Sequence, residues 1–210
     1  MNEERLVHRL EAFSDVVIGF VLAELAITLS VPKTMPAPAD LLPSLFVFAS
    51  TFALVVIVWY LHNRLFALYF VPNFVMVALN FIMLGGVIVM AYVLQVATRF
   101  SGEPGDIHLF GMWSECFAGV YFLIGVMYGI GTYLRDRALQ PKDFAAGVFR
   151  CITCALGAAA LLLVGLSASK IHHAYELHEV FIALAVFVVL SGALRRFGVP
   201  WLAARHAARA

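Results

Sequence analysis

Asp15, Glu24 and His62 are ionisable side chains set among apolar neighbours. A charge held in hydrocarbon costs about 3 kcal/mol on insertion scales, so such groups persist for a partner or for work. A carboxylate there can attract a cation or pass on a proton, and an imidazole can do the second. Arg9 adds a guanidinium ahead of them, and Asn80 adds an amide that both donates and accepts. Two other groups have chemistry-bearing types. Cys151-Ile152-Thr153-Cys154 is a lone C-x-x-C, without the second pair a zinc site needs. With Cys116 it reads as small core residues. His172, His173, Glu176, His178 and Glu179 are crowded, but their spacing matches no standard metal motif, and they read as a solvated helix cap. A membrane haem protein needs histidines facing each other at membrane depth, where His62 alone qualifies. The residues therefore point to no catalytic group, metal or cofactor, and the chain reads as no enzyme.

The elements that must position these residues are membrane-spanning helices. Of 210 residues, 63% are hydrophobic and 13% charged, against about half and about a quarter in a soluble domain. Six apolar segments, 12–31, 43–66, 73–98, 109–134, 144–168 and 175–196, each approach the roughly 20 residues a helix needs to cross a bilayer. The expectation is an all-α, polytopic membrane protein, with residues 1–210 forming a single six-helix transmembrane domain in contact with lipid. Glu3, Glu4 and Glu11 flank the first segment and no small-residue cleavage site follows it, so it reads as a retained helix. Lysines and arginines divide unequally between the two sides. Arg5, Arg9, Arg64, Arg135, Arg137, Lys142, Arg150, Arg195, Arg196, Arg205 and Arg209 fall with the termini, against Lys33, Arg99 and Lys170. Short loops rich in them stay in the cytoplasm, which puts both termini there and the chain in the plasma membrane. A net charge of +1 without a long basic run argues against nucleic acid. Gly85, Gly86, Gly119, Gly125, Gly129 and Gly157 permit close helix approach, with Gly125 and Gly129 the clearest packing pair. Trp113 and Tyr175 read as interface anchors.

Helix one has two different faces. At about 100° per residue, Asp15 and Phe20 point roughly 140° apart, while Phe20, Glu24 and Ile27 fall within about 60° of one another. The Asp15 face is expected to turn into the chain's own bundle, where His62 and Asn80 answer its charge. The other face carries large apolar groups with one acid among them.

Arg9-Leu10-Glu11-Ala12-Phe13-Ser14-Asp15 resembles the Arg-x-x-x-Phe-Ser-Asp signature of the transmembrane protein 175 family, potassium channels of animal lysosomes with bacterial homologues. Val31-Pro32 closes helix one as in that family, Trp59 and His62 match its Trp-x-x-His, and Asn80 with Leu84 its Asn-x-x-x-Leu. The likeness covers about the first 95 residues by motif and the rest by helix count. It implies a potassium-permeable cation channel, a homotetramer in which helix one of each subunit lines a dry, narrow pore built from bulky apolar residues. The Thr-Val-Gly-Tyr-Gly filter of ordinary potassium channels does not occur. Carried across residue by residue, the constriction falls on Phe20, where the family has isoleucine or leucine. Its threonine, eight residues after the motif aspartate, falls on Ala23, and its apolar residue twelve after falls on Ile27. Four phenylalanines close a pore by dewetting more firmly than isoleucines, and loss of the hydroxyl removes a polar layer. Glu24, where the family is apolar, is a candidate cation or proton site, and the family's proton leak makes proton permeability a further expectation. Its structural alternative is an acid bonded to a neighbouring helix. Arg9, Phe13, Ser14, Asp15, His62 and Asn80 read as a polar network that orients helix one without touching ions. The alternative function is a non-conducting or proton-selective relative with the same fold.

Overall fold

The computed structural model describes residues 3–27, 38–100, 106–168 and 191–208, and every described element is helical. The helices are α1 (Glu3–Ile27), α2 (Pro38–Leu68), α3 (Phe74–Arg99), α4 (Asp106–Leu134), α5 (Pro141–Ala168) and α6 (Val199–Ala207), the last entered through a π-helical turn, Leu194–Gly198. Four of them, α2 to α5, are long and apolar enough to span a membrane. α1 is long enough at about 37 Å, but Glu11, Asp15 and Glu24 interrupt its apolar part. Of the sixth expected segment, residues 175–190 lie outside the described residues, as do Tyr175 and the His/Glu run at 172–179. So do residues 28–31, at the expected end of helix one.

Apolar length makes these helices, and polar punctuation ends them. Asn73 caps α3, its side chain accepting from the Met76 N–H at 2.8 Å, which satisfies one of the donors a helix start leaves orphaned. At the far end of α2 the chain turns through Tyr69 and Phe70, and neighbouring helices satisfy its carbonyls. Arg135 donates to the Leu68 carbonyl and Tyr128 to that of Leu61, both at 2.7 Å. Tyr69 in turn donates to the Asp143 carbonyl at 2.7 Å, beneath the Arg150 guanidinium. Gly131 is needed at this junction, because a Cβ there would run into the Tyr69 carbonyl.

α4 and α5 form the most extensive pair, and α3 packs on α4. Their contact uses small residues: Cys154 lies against Gly125, Cys151 Sγ against Gly129, and the Gly111 and Gly165 backbones meet. The two cysteines of the C-x-x-C thus fill the positions facing the Gly125–Gly129 pair. Gly85 and Gly119, by contrast, face open space. Trp113 corrects an expectation. It is buried, with its ring 5.2 Å from Phe110 and 5.9 Å from Phe117, so it fills the core instead of anchoring an outer surface. α1 stands at the edge of the bundle, touching only α2 and α3 among the described elements.

Candidate functional site: the two faces of helix one

The seam of α1 is Leu10, Ser14, Ile18, Val21 and Leu25, all buried. Their spacing of four, four, three and four keeps them on one face. At its centre Ser14 donates to the Leu10 carbonyl at 2.8 Å and accepts from Asn80 Nδ2 at 3.2 Å. The Asn80 oxygen lies 2.8 Å from His62 Nε2. Because that oxygen can only accept, His62 carries its hydrogen on Nε2, and the bond directions of the chain are fixed from α2 through α3 to α1. His62 Nδ1 then has no partner among the described residues, and the ring lies 4.5 Å from that of Phe66. Ser14, His62 and Asn80 are fully buried.

Asp15 is not hydrogen-bonded into this network, although its charge acts on His62. It sits at the rim of the seam, exposed, and accepts from the indole Nε1–H of Trp59 at 2.9 Å. The correction has a simple cause: Ser14, one residue earlier, occupies the direction that leads to Asn80, and 100° of helix rotation carries Asp15 toward α2. Arg9 is exposed, and Phe13 is about half exposed with its ring 5.8 Å from Phe81. Of the six residues expected to share a network, Ser14, His62 and Asn80 are joined, while Asp15, Arg9 and Phe13 lie outside that chain of bonds.

The opposite face carries Val16, Phe20, Ala23 and Ile27, all exposed, with Phe20 at 73% and Ile27 at 75%. Glu24 flanks this stripe and is exposed too, its Oε1 accepting from Gln95 Nε2 of α3 at 3.0 Å. The acid is thus tethered to its own subunit while remaining open on the stripe side. Trp59 and Gln95 are the partners that sequence reasoning did not assign. Both were visible as polar or amphipathic groups in apolar helices, but they act on residues 44 and 71 positions away. Glu115 of α4 was passed over as well, and it lays its side chain in the space that Gly165 leaves on α5.

This arrangement has no nucleophile with a base and no cluster of metal ligands among the described residues. What it offers is a helix fixed by a polar seam on one side, presenting a bulky apolar stripe with one carboxylate on the other. Residues 9–90 match the family described as Endosomal/lysosomal potassium channel TMEM175. These residues contain the whole of the seam and of the stripe, and the family is the one the motif in α1 resembles. A protein named "Potassium channel" from Marivirga tractuosa is 29% identical over 138 residues, covering 60% of this chain and 53% of that protein. The chain thus spans about half the length of this curated relative. No solved structure matches.

Proposed function

We propose that this chain, whose residues 9–90 match the family of the endosomal/lysosomal potassium channel TMEM175, is one subunit of a potassium-permeable cation channel in which helix one of four copies surrounds the pore. It is a multi-pass membrane protein with both termini in the cytoplasm, where the arginine-rich end of the bundle belongs by the positive-inside rule, and we place it in the plasma membrane. The observation that carries the reading is the exposed stripe Val16, Phe20, Ala23 and Ile27, which meets no partner among the described residues, on a helix whose other face is locked by buried polar contacts. Four such stripes around an axis give a constriction at Phe20, a wider ring at Ala23 and a further apolar ring at Ile27. Permeation through it requires an ion to shed water against apolar walls, so the rings govern conduction by dewetting. Glu24 raises the local cation concentration beside the constriction and is a proton site.

The test is potassium efflux from liposomes that hold the full chain, read with a potassium-sensitive dye. Phe20→Ala widens the narrowest ring, and flux is expected to rise severalfold over wild type. A measurable wild-type flux that Phe20→Ala leaves unchanged, at equal density of insertion, refutes the assignment of α1 to the pore. The competing reading, a non-conducting or proton-selective relative, is favoured by the bulk of Phe20 and by the missing hydroxyl at Ala23. It gains support if wild type and Phe20→Ala both leave potassium in the vesicles.

A further inference from the structure

We infer that α6 and the turn before it form a binding surface for anionic phospholipid in the leaflet that meets the arginine-rich end of the bundle. α6 is held by its inner side. The His206 ring stacks on Phe144 of α5 with centroids 4.1 Å apart, His206 Nε2 lies 3.7 Å from Asp136, and the Phe149 ring fills the place where Gly198 lacks a side chain. Val199, Leu202 and Ala203 share that inner side, all partly buried. This fixes what points away. Phe197, Trp201 and Arg205 follow one another at intervals of four and are exposed, Phe197 at 71% and Trp201 at 60%. The Arg205 guanidinium lies 5.2 Å from the Trp201 ring centre, and that of Arg196 5.9 Å from the Phe197 ring.

The order of this stripe fits one kind of occupant. Gly198 meets Phe149, within the opening turns of α5, whose apolar run begins at Pro141. His206 lies near Phe144 and the loop carrying Asp136, so the chain runs outward along α5 from Phe197 to Arg205. Each step of four residues is about 6 Å. The stripe therefore sets an apolar ring and an amphipathic indole between guanidiniums, with Arg195 and Arg196 beside Phe197 and Arg205 about 12 Å further on, the pattern of a helix lying along the headgroup boundary. Water would leave Phe197 and Trp201 uncovered. Arg195, Arg196 and Arg205 are all exposed and make no ion pair among the described residues, whereas Asp136 is on the inner side and faces His206. The outward charge is thus of one sign, and it stands at both ends of the aromatic pair. The surface prefers phosphatidylglycerol or a similar anionic headgroup over a zwitterionic one.

The experiment uses the full chain purified in mild detergent and a fluorescent phosphatidylglycerol, followed by polarisation, with fluorescent phosphatidylcholine as the comparison. Each arginine near an anionic surface contributes about 1 kcal/mol, or roughly fivefold. Arg195→Gln with Arg196→Gln and Arg205→Gln is therefore expected to cut the preference for phosphatidylglycerol at least tenfold. The three corresponding lysine substitutions are expected to retain most of it. Should the triple glutamine variant fail to fold, as judged by gel filtration, Arg205→Gln alone is read, with about a fivefold loss expected. Undiminished preference in the glutamine variants overturns the proposal. So does competition by free glycerol phosphate at the concentration at which lipid competes, which would make this a soluble-anion site. A change of oligomer size in Trp201→Ala also overturns it, since the face would then be covered by a second copy of the chain.

Discussion

Asn80→Leu isolates the polar seam that fixes helix one. Leucine repeats the branched skeleton of asparagine with methyls in place of the amide oxygen and nitrogen, so it removes the hydrogen bonds while adding some volume, which the double variant below holds constant. Ser14 keeps its bond to the Leu10 carbonyl and loses only an incoming donor. His62 loses more, because its Nε2–H, fully buried, is left without an acceptor. An intact hydrogen bond within a membrane bundle averages about 0.6 kcal/mol, whereas a buried donor left unpaired costs about 1–3 kcal/mol. The orphaned donor therefore dominates, and a loss of about 2 kcal/mol is expected. For a chain of this length that is a fall in melting temperature of about 4–8 °C, measured by thermal unfolding in detergent at a fixed scan rate. Adding His62→Phe separates the two terms. The ring of residue 62 already lies beside Phe66 at 4.5 Å, so phenylalanine fits the same stack and no donor remains. Asn80→Leu with His62→Phe is expected to recover about 1 kcal/mol or more of the loss. A double variant that melts at or below the single one refutes the bond directions assigned here.

Gly131→Ala and Gly119→Ala form a matched pair on α4. The first drives a methyl into the Tyr69 carbonyl and is expected to cost about 1–3 kcal/mol. The second faces open space and should be neutral or stabilising by up to about 1 kcal/mol, through helix propensity. Thermal unfolding distinguishes them, and equal melting temperatures contradict the packing described. Glu24→Gln removes the carboxylate while keeping an acceptor for Gln95. In liposomes under a pH gradient it should abolish proton flux and spare potassium flux. If both fluxes persist, Glu24 only links α1 to α3.

Periodicity made two faces of α1 legible, because helical rotation alone separates Asp15 from Phe20, but the residue that turns inward is Ser14, with Asp15 at the rim. The expected segments 73–98 and 144–168 fall within one and three residues of where α3 and α5 begin, at Phe74 and Pro141, because the apolar runs set the extent of these helices. Pairings across the bundle were not legible in this way. Asp15 with Trp59 and Glu24 with Gln95 depend on how far each helix is rotated in the packed state, which no local pattern encodes. Trp113 failed for a related reason. A tryptophan near the end of an apolar run looks the same whether its ring lies among neighbouring helices or in the headgroup region. Its burial follows from the face that α4 turns inward, the face from which the adjacent Ser114 donates to the Leu161 carbonyl at 2.8 Å. The role of α6 was obscured because its exposed tryptophan and arginines read as loop charge rather than as an ordered stripe.

The position of Glu24 bears on which way the free side of α1 faces. If Val16, Phe20 and Ile27 met lipid, the adjoining carboxylate would enter hydrocarbon at a cost of about 3 kcal/mol on the insertion scale. The single bond from Gln95, at the roughly 0.6 kcal/mol typical of such bonds, offsets a small part of that. Protonation would remove the charge, but it would leave a hydroxyl still seeking an acceptor among alkyl chains. Facing a shared axis, the same carboxylate has access to water and cations, while the large rings exclude water only at their own level. In the proposed tetramer that penalty would recur in every subunit. The stripe and the acid are therefore compatible with each other beside a conduit, and in conflict beside lipid.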